Sequence, residues 1–181
     1  MKDYADLHTH TIASGHAYGT ITEMVHAAAL KNLPILGITE HAPSMPGSCG
    51  EMQFCNFNVI PPVLEGVRLL FGCELNIVDY SGTIDLSERM LKRLSYTVVS
   101  LHDLCLKPGT MEDNTFAVLT ALKNPYVTIL GHPDDGRYMV DMEAVVQAAK
   151  EYHTLLELNN NSLNPRCTCL LYTSDAADDK A

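Results

Sequence analysis

The sequence predicts an α/β fold in which helices pack around a parallel sheet or barrel, on two observations. Apolar runs of strand length alternate with helix-like stretches from one end of the chain to the other, and that alternation is what repeated βα units look like in sequence. Histidines and a glutamate stand at or just past the C-terminal ends of those apolar runs, the rim on which barrel enzymes build their sites.

The expected strands are Asp6–His10, Ile35–Thr39, Leu69–Asn76, Tyr96–Leu101, Val127–Gly131 and Thr154–Leu158. Each is a short apolar or β-branched run bounded by turn residues. Between them the 3.6-residue period and polar caps predict helices over Thr22–Lys31, Ser87–Leu94, Thr115–Leu122 behind an Asn114 cap, and Met142–Tyr152. The segments Ala42–Pro62 and Lys107–Asp113 carry Pro, Gly and polar residues and read as loops.

Composition narrows the function. With 181 residues, 46% of them hydrophobic, the chain can bury a substantial core. Its acidic start lacks the basic flank and apolar run of a signal peptide, and no stretch reaches the ~18 apolar residues of a membrane span, so a cytoplasmic location is expected. The six cysteines form no C-x-x-C pair and read as reduced thiols. A net charge of −10 argues against a Lys/Arg track for nucleic acid, so an anionic substrate would need another source of positive charge. Eight histidines are the compositional oddity, because imidazole is the commonest metal ligand.

His8 and His10 lie two apart on the first strand and share a face, so both rings can reach one ion. His16 follows in a small-residue loop, and His41 comes directly after the second strand, preceded by Glu40. Glu74 ends the third apolar run, where a lone carboxylate would be costly to bury without a partner. His102 and His132 end the next two. Any one of these reads as an ordinary hydrogen-bonded residue, but five successive strand ends do not. His26 reads as a helix-face residue, and His153 precedes a strand rather than ending one. Asn159, Asn160 and Asn161 follow the sixth strand, either in an ordinary turn or in contact with substrate.

The order H-T-H, isolated His, E-H, a Glu after the third strand, S-x-H and G-H-P resembles the PHP (polymerase and histidinol phosphatase) superfamily. The loop 13–18, the Gly-x-Glu-x-Asn at 72–76 and the run 156–160 are most similar to its YcdX-type phosphatases. The resemblance implies a distorted (β/α)7 TIM-like barrel holding three divalent ions, zinc in the first instance with manganese or iron as alternatives. It implies His8, His10 and Glu74 at one ion, Glu74, His102 and His132 at a second, and His16 and His41 at a third, with Glu74, His102 and His132 acting in catalysis through the metals. Asp103, Asp134 and Asp135 are candidates to orient the imidazoles, and Arg137 to touch phosphate.

The implied activity is hydrolysis of phosphate esters, small-molecule phosphomonoesters above all. A PHP-type nuclease and a non-catalytic metal-binding module are the alternatives. The family's later Asp-x-His motif is absent after residue 132. The barrel is therefore expected to be incomplete at the C-terminus, with residues 1–168 as the metal-dependent domain. Residues 169–181 resemble the translation of a sequencing adapter and are expected to be a non-native tail. A chain short of two ligands is expected to hold metal weakly and turn over little.

Overall fold

The computed structural model describes residues 4–157. Seven strands form one sheet: β1 (Ala5–Asp6), β2 (Ile35–His41), β3 (Val63–Leu64), β4 (Val67–Asn76), β5 (Tyr96–Ser100), β6 (Ile129–Leu130) and β7 (Leu155–Leu156). Six run parallel in the order β1-β2-β4-β5-β6-β7, and β3 pairs antiparallel with β4 through a short hairpin. Helices α1 (Ile21–Leu30), α2 (Glu51–Asn56), α3 (Glu88–Leu91), α4 (Met111–Leu122) and α5 (Met142–Tyr152) fill the connections.

The sheet curls strongly. Laid flat, six strands would hold β1 and β7 five spacings apart, about 24 Å. Yet His8, just beyond β1, is 2.7 Å from Glu157, just beyond β7. The two edges therefore approach each other at the C-terminal rim, and the strands make a curled partial barrel.

Strand alternation divides the residues into two layers. Leu36 and Ile38 of β2, Cys73 and Leu75 of β4 and Val99 of β5 face outward and pack with Val25, Val118, Leu122 and Val145 of the helices. The alternate residues face inward, where Tyr96, Val98 and Ile129 cluster with Leu7 and Leu70. The inner face is filled at its base by Tyr96, whose hydroxyl donates to the Leu7 carbonyl at 2.6 Å and so ties the β1 edge to the barrel floor. Gly37 makes room for it, since an added Cβ would overlap that hydroxyl. One level up the same parity presents His41, Glu74, Asn76 and Ser100, and His41 is the register partner of Glu74.

Several boundaries differ from the sequence expectation. Strands β1, β6 and β7 have two residues each, shorter than expected, although single backbone hydrogen bonds such as Glu157 N–H to the Leu130 carbonyl extend the pairing beyond them. Thr110 caps α4, with Asp113 closing a reciprocal capping box, so the helix starts four residues before the expected Thr115. Asn114 lies inside that helix and is fully buried, binding Gly109 and the Met139 carbonyl. The 42–62 segment contains α2 and a 3-10 turn at Phe57–Val59, because Phe54 and Phe57 bury themselves against the core. Among the described residues no helix is long and apolar enough to cross a membrane. The run at 159–161, Cys167 and the expected tail lie outside the described residues.

Candidate metal centre

Seven side chains line one open cavity of about 240 Å³ at the C-terminal rim: His8, His10, His16, His41, Glu74, His102 and His132. They are the seven that the strand-end reading selects. Glu74 is the hub, with its side chain 1% exposed. Oε1 has Nε2 of His8 at 3.1 Å and those of His102 and His132 at 3.2 Å. Oε2 has His10 Nε2 at 3.2 Å and His41 Nδ1 at 2.8 Å. His16 joins through His41, their Nε2 atoms 2.8 Å apart.

Local backbone explains how each ring arrives there. His41 ends β2 on the inward phase and His102 follows β5 on the same phase as Ser100. His132 does not follow parity: Ile129 faces inward and Leu130 outward, so continued alternation would turn His132 away. Its backbone instead takes a φ of +28° before Pro133, which swings the ring back over the cavity. His16 rides on a loop that begins at Gly15 (φ +77°), packed so closely on Gly47 that an added Cβ would overlap the Gly47 carbonyl.

The outer nitrogens are backed by oxygens. His10 Nδ1 meets Ser14 Oγ at 3.0 Å, His102 Nδ1 meets Asn76 Oδ1 at 2.8 Å, and His8 Nδ1 meets Glu157 Oε1 at 2.7 Å. Asn76 is itself held by Asp85, which accepts from its backbone N–H and its side-chain amide, both at 2.7 Å. Ser14 donates to Glu40 at 2.5 Å, leaving its lone pairs to accept from His10. Glu40 is fully buried and also takes the Thr11 hydroxyl and backbone N–H.

This backing decides what the site can hold. An amide oxygen accepts only, so a neutral His102 carries its proton on Nδ1 and turns a bare Nε2 lone pair on Glu74. Lone pairs facing a carboxylate at 3.2 Å repel, unless a cation stands among them. Five rings also compete for a carboxylate with about four lone-pair sites. His41 Nδ1 and Glu74 Oε2, both buried, have no hydrogen bond of sound geometry despite their 2.8 Å separation. Imidazoles and a carboxylate are the donor set of zinc and related divalent ions. Three overlapping triads have ligand atoms close enough to hold one ion: His8–His10–Glu74, His10–His16–His41 and His41–Glu74–His102. The first coincides with a set implied by the family resemblance. The other two share rings differently, because Glu74 sits within reach of nearly all of them.

Electrostatics follow from burial and from Glu74. Burial lowers His10 and His102 below the ordinary imidazole value despite the opposing pull of Glu74, so both are neutral at pH 7. For His8, burial is outweighed by the hydrogen bonds to Glu157 and Glu74, which raise it to about 10. Burial favours the protonated form of Glu74, but the surrounding imidazoles hold it well below the usual carboxylate range.

Two of the groups expected to orient the imidazoles, Asp103 and Asp135, are placed otherwise. Asp103 and Asp135 both bind Arg137, whose guanidinium is thereby committed to carboxylates rather than to the cavity. Asp134 is buried. The orienting oxygens belong instead to Ser14, Asn76 with Asp85, and Glu157. Glu157 could have been found by the reasoning that selected Glu74, since it too follows an apolar strand where a lone carboxylate is costly. His26 is exposed and pairs with Glu65, and His153 ends α5 in the left-handed region, so neither joins the site.

Fold and site together define a class, a curled parallel α/β barrel with a metal-binding type of centre at the C-terminal ends of its strands. The chain belongs to the PHP domain family, whose pattern matches residues 6–164. It is 48% identical over 161 residues to a probable phosphatase of Caldicellulosiruptor saccharolyticus, covering 89% of this chain and 67% of that one. A probable phosphatase of Acetivibrio thermocellus is 48% identical over 92% of this chain and 69% of its own length. The chain thus spans about two thirds of these relatives, and relatives of this similarity place it among the hydrolases. The histidinol phosphate phosphatase of Lactococcus lactis, solved with zinc, L-histidinol and phosphate, shares the fold with a TM-score of 0.55 at 15% identity. That match covers 87% of this chain and 73% of the other.

Proposed function

We propose that the protein hydrolyses small-molecule phosphomonoesters with divalent ions, zinc in the first instance, held by His8, His10, His16, His41, Glu74, His102 and His132. One observation carries this reading. Five imidazoles converge on a single buried carboxylate, and the oxygens behind His10 and His102 leave bare nitrogens facing it. Three ions would draw three ligands from His8, His10 and Glu74, three from Glu74, His102 and His132, and two from His16 and His41. When bound, such ions acidify a coordinated water and offset the charge of phosphoryl oxygens.

The chain's own residues do the rest. Glu74 stays ionised in a buried setting and supplies the fixed negative charge, steadied by the Ser100 hydroxyl at 2.7 Å. His10 and His102 keep free lone pairs at neutral pH. The Asp85–Asn76 pair holds His102 in one tautomer and orientation. Arg137, paired with Asp103 and Asp135, is not free to bind the phosphate, so positive charge for the ester has to come from the bound ions. The test is zinc uptake by the chelator-stripped chain together with turnover of p-nitrophenyl phosphate. The parent chain should bind zinc, Glu74→Gln should bind it about 100-fold more weakly or worse, and any turnover should vanish with chelator. A parent chain that takes up no zinc, or hydrolyses the ester equally well under chelation, overturns the reading.

A further inference from the structure

Glu157 has no place in the ligand set of the site. It reaches the cavity wall from β7, the far edge of the sheet from β1, and stands 149 residues from the ring it touches. Both its oxygens are occupied: Oε1 by His8 Nδ1 at 2.7 Å, and Oε2 by the backbone N–H of His132 at 2.7 Å. It therefore lies behind the rings, facing away from the point where their Nε2 atoms converge. His8 is bracketed between two carboxylates, Glu157 on Nδ1 and Glu74 near Nε2. The second contact falls on the residue whose left-handed backbone is required to aim its ring. A non-glycine residue at positive φ persists only where its surroundings hold it.

We propose that Glu157 is a positioning residue for two rings at once, fixing the His8 proton on Nδ1 so that Nε2 faces the cavity and locking the left-handed turn that brings His132 inward. Glu157 directly backs one imidazole of the centre and joins the two edges of the sheet there. His10 and His102 are backed by groups from neighbouring elements, and the His132 backbone is held from the neighbouring strand β7. His8 alone depends on whether β7 comes round to meet β1.

The inference rests on the metal reading for its consequence and on the contacts alone for its substance, so the two are tested separately. In the metal-free parent chain, nitrogen-edited NMR should show a downfield, slowly exchanging His8 Nδ1 proton and a protected His132 amide. Both should be lost in Glu157→Ala. In Glu157→Gln, one oxygen can still accept, so one of the two protected protons should survive. Zinc competition against a chromophoric chelator should then show affinity weakened about 10- to 100-fold in Glu157→Ala and less in Glu157→Gln. A parent chain without the protected His8 proton overturns the inference, even if Glu157→Ala does not fold. So does a Glu157→Gln chain that binds zinc as the parent does with both protons exchanging freely. Absence of zinc uptake by the parent overturns the proposed function alone, since the protons are read without metal.

Discussion

The two sides of the histidine ring are supported in opposite ways. On the β2 side, Glu40 gathers Thr11 and Ser14, and Ser14 in turn meets His10 Nδ1 and the His41 backbone N–H. Every member comes from two consecutive strands and the loop between them, and Glu40 is fully buried. On the β7 side, Glu157 meets His132 from the neighbouring strand and His8 across the seam between the sheet's two edges, with some exposure to solvent. The first support is complete once a single βαβ unit has formed. The His8 contact of the second exists only when the whole sheet has curled, so one side of the centre is as stable as a local motif and His8 on the other is as stable as the closure.

The contrast can be broken most forcefully from the local side. Glu40→Ala strips partners from the Thr11 N–H and from two hydroxyls while opening a cavity, which should cost about 3 kcal/mol or more in urea unfolding. A loss below about 1 kcal/mol would show that the β2 side does not rest on this carboxylate. A smaller effect is expected from Tyr96→Phe, which leaves the Leu7 carbonyl unpaired and should cost about 1 kcal/mol. It should also raise hydrogen exchange near Leu7 and His8 while sparing Thr11 and His41. Equal acceleration on both sides would erase the distinction.

The smallest effect is in pH, measured on chelator-stripped chain. His8 is raised from 6.5 to about 10, so its contribution to stability is complete below about 6.5 and lost as pH rises through about 10. Burial pushes Glu157 up, but its hydrogen bond to His8 outweighs this and lowers it, so its contribution is present above about 4.5 and lost as pH falls. The seam should therefore be firmest between about pH 4.5 and 6.5 and loosen toward pH 10. Thermal midpoints of parent and Glu157→Ala should converge over that alkaline range. A gap that stays constant to pH 10 would mean the His8–Glu157 pair is not what closes the seam.

The sequence exposed the cavity residues because, apart from His16 in its small-residue loop, they sit on or just past strand-like runs, and runs of that kind become strands whose ends share a rim. It concealed the oxygens behind them for a physical reason. Ser14, Asn76 and Glu157 acquire their roles from which strands lie side by side and how far the sheet curls, and a linear pattern carries neither. The Asp-rich positions near His102 and His132 suggested orienting carboxylates, but Asp103 and Asp135 are collected by Arg137 instead. Asn114 shows the same limit at small scale: it has the chemistry of a cap, yet Thr110 with Asp113 offers a reciprocal pair, and the helix begins there.

The back-to-back glycines at 15 and 47 make inheritance at the two positions unequal. A methyl group at 15 has nowhere to go, because the opposing backbone fills the space, whereas one at 47 would meet only the Gly15 Cα at 3.9 Å and bear the penalty of a φ of +85° alone. Lineages can therefore experiment at 47, where an asparagine would be tolerated in that conformation, while 15 stays closed to change. The loop after β2 and the histidine loop after β1 are geared together through a surface only one atom deep.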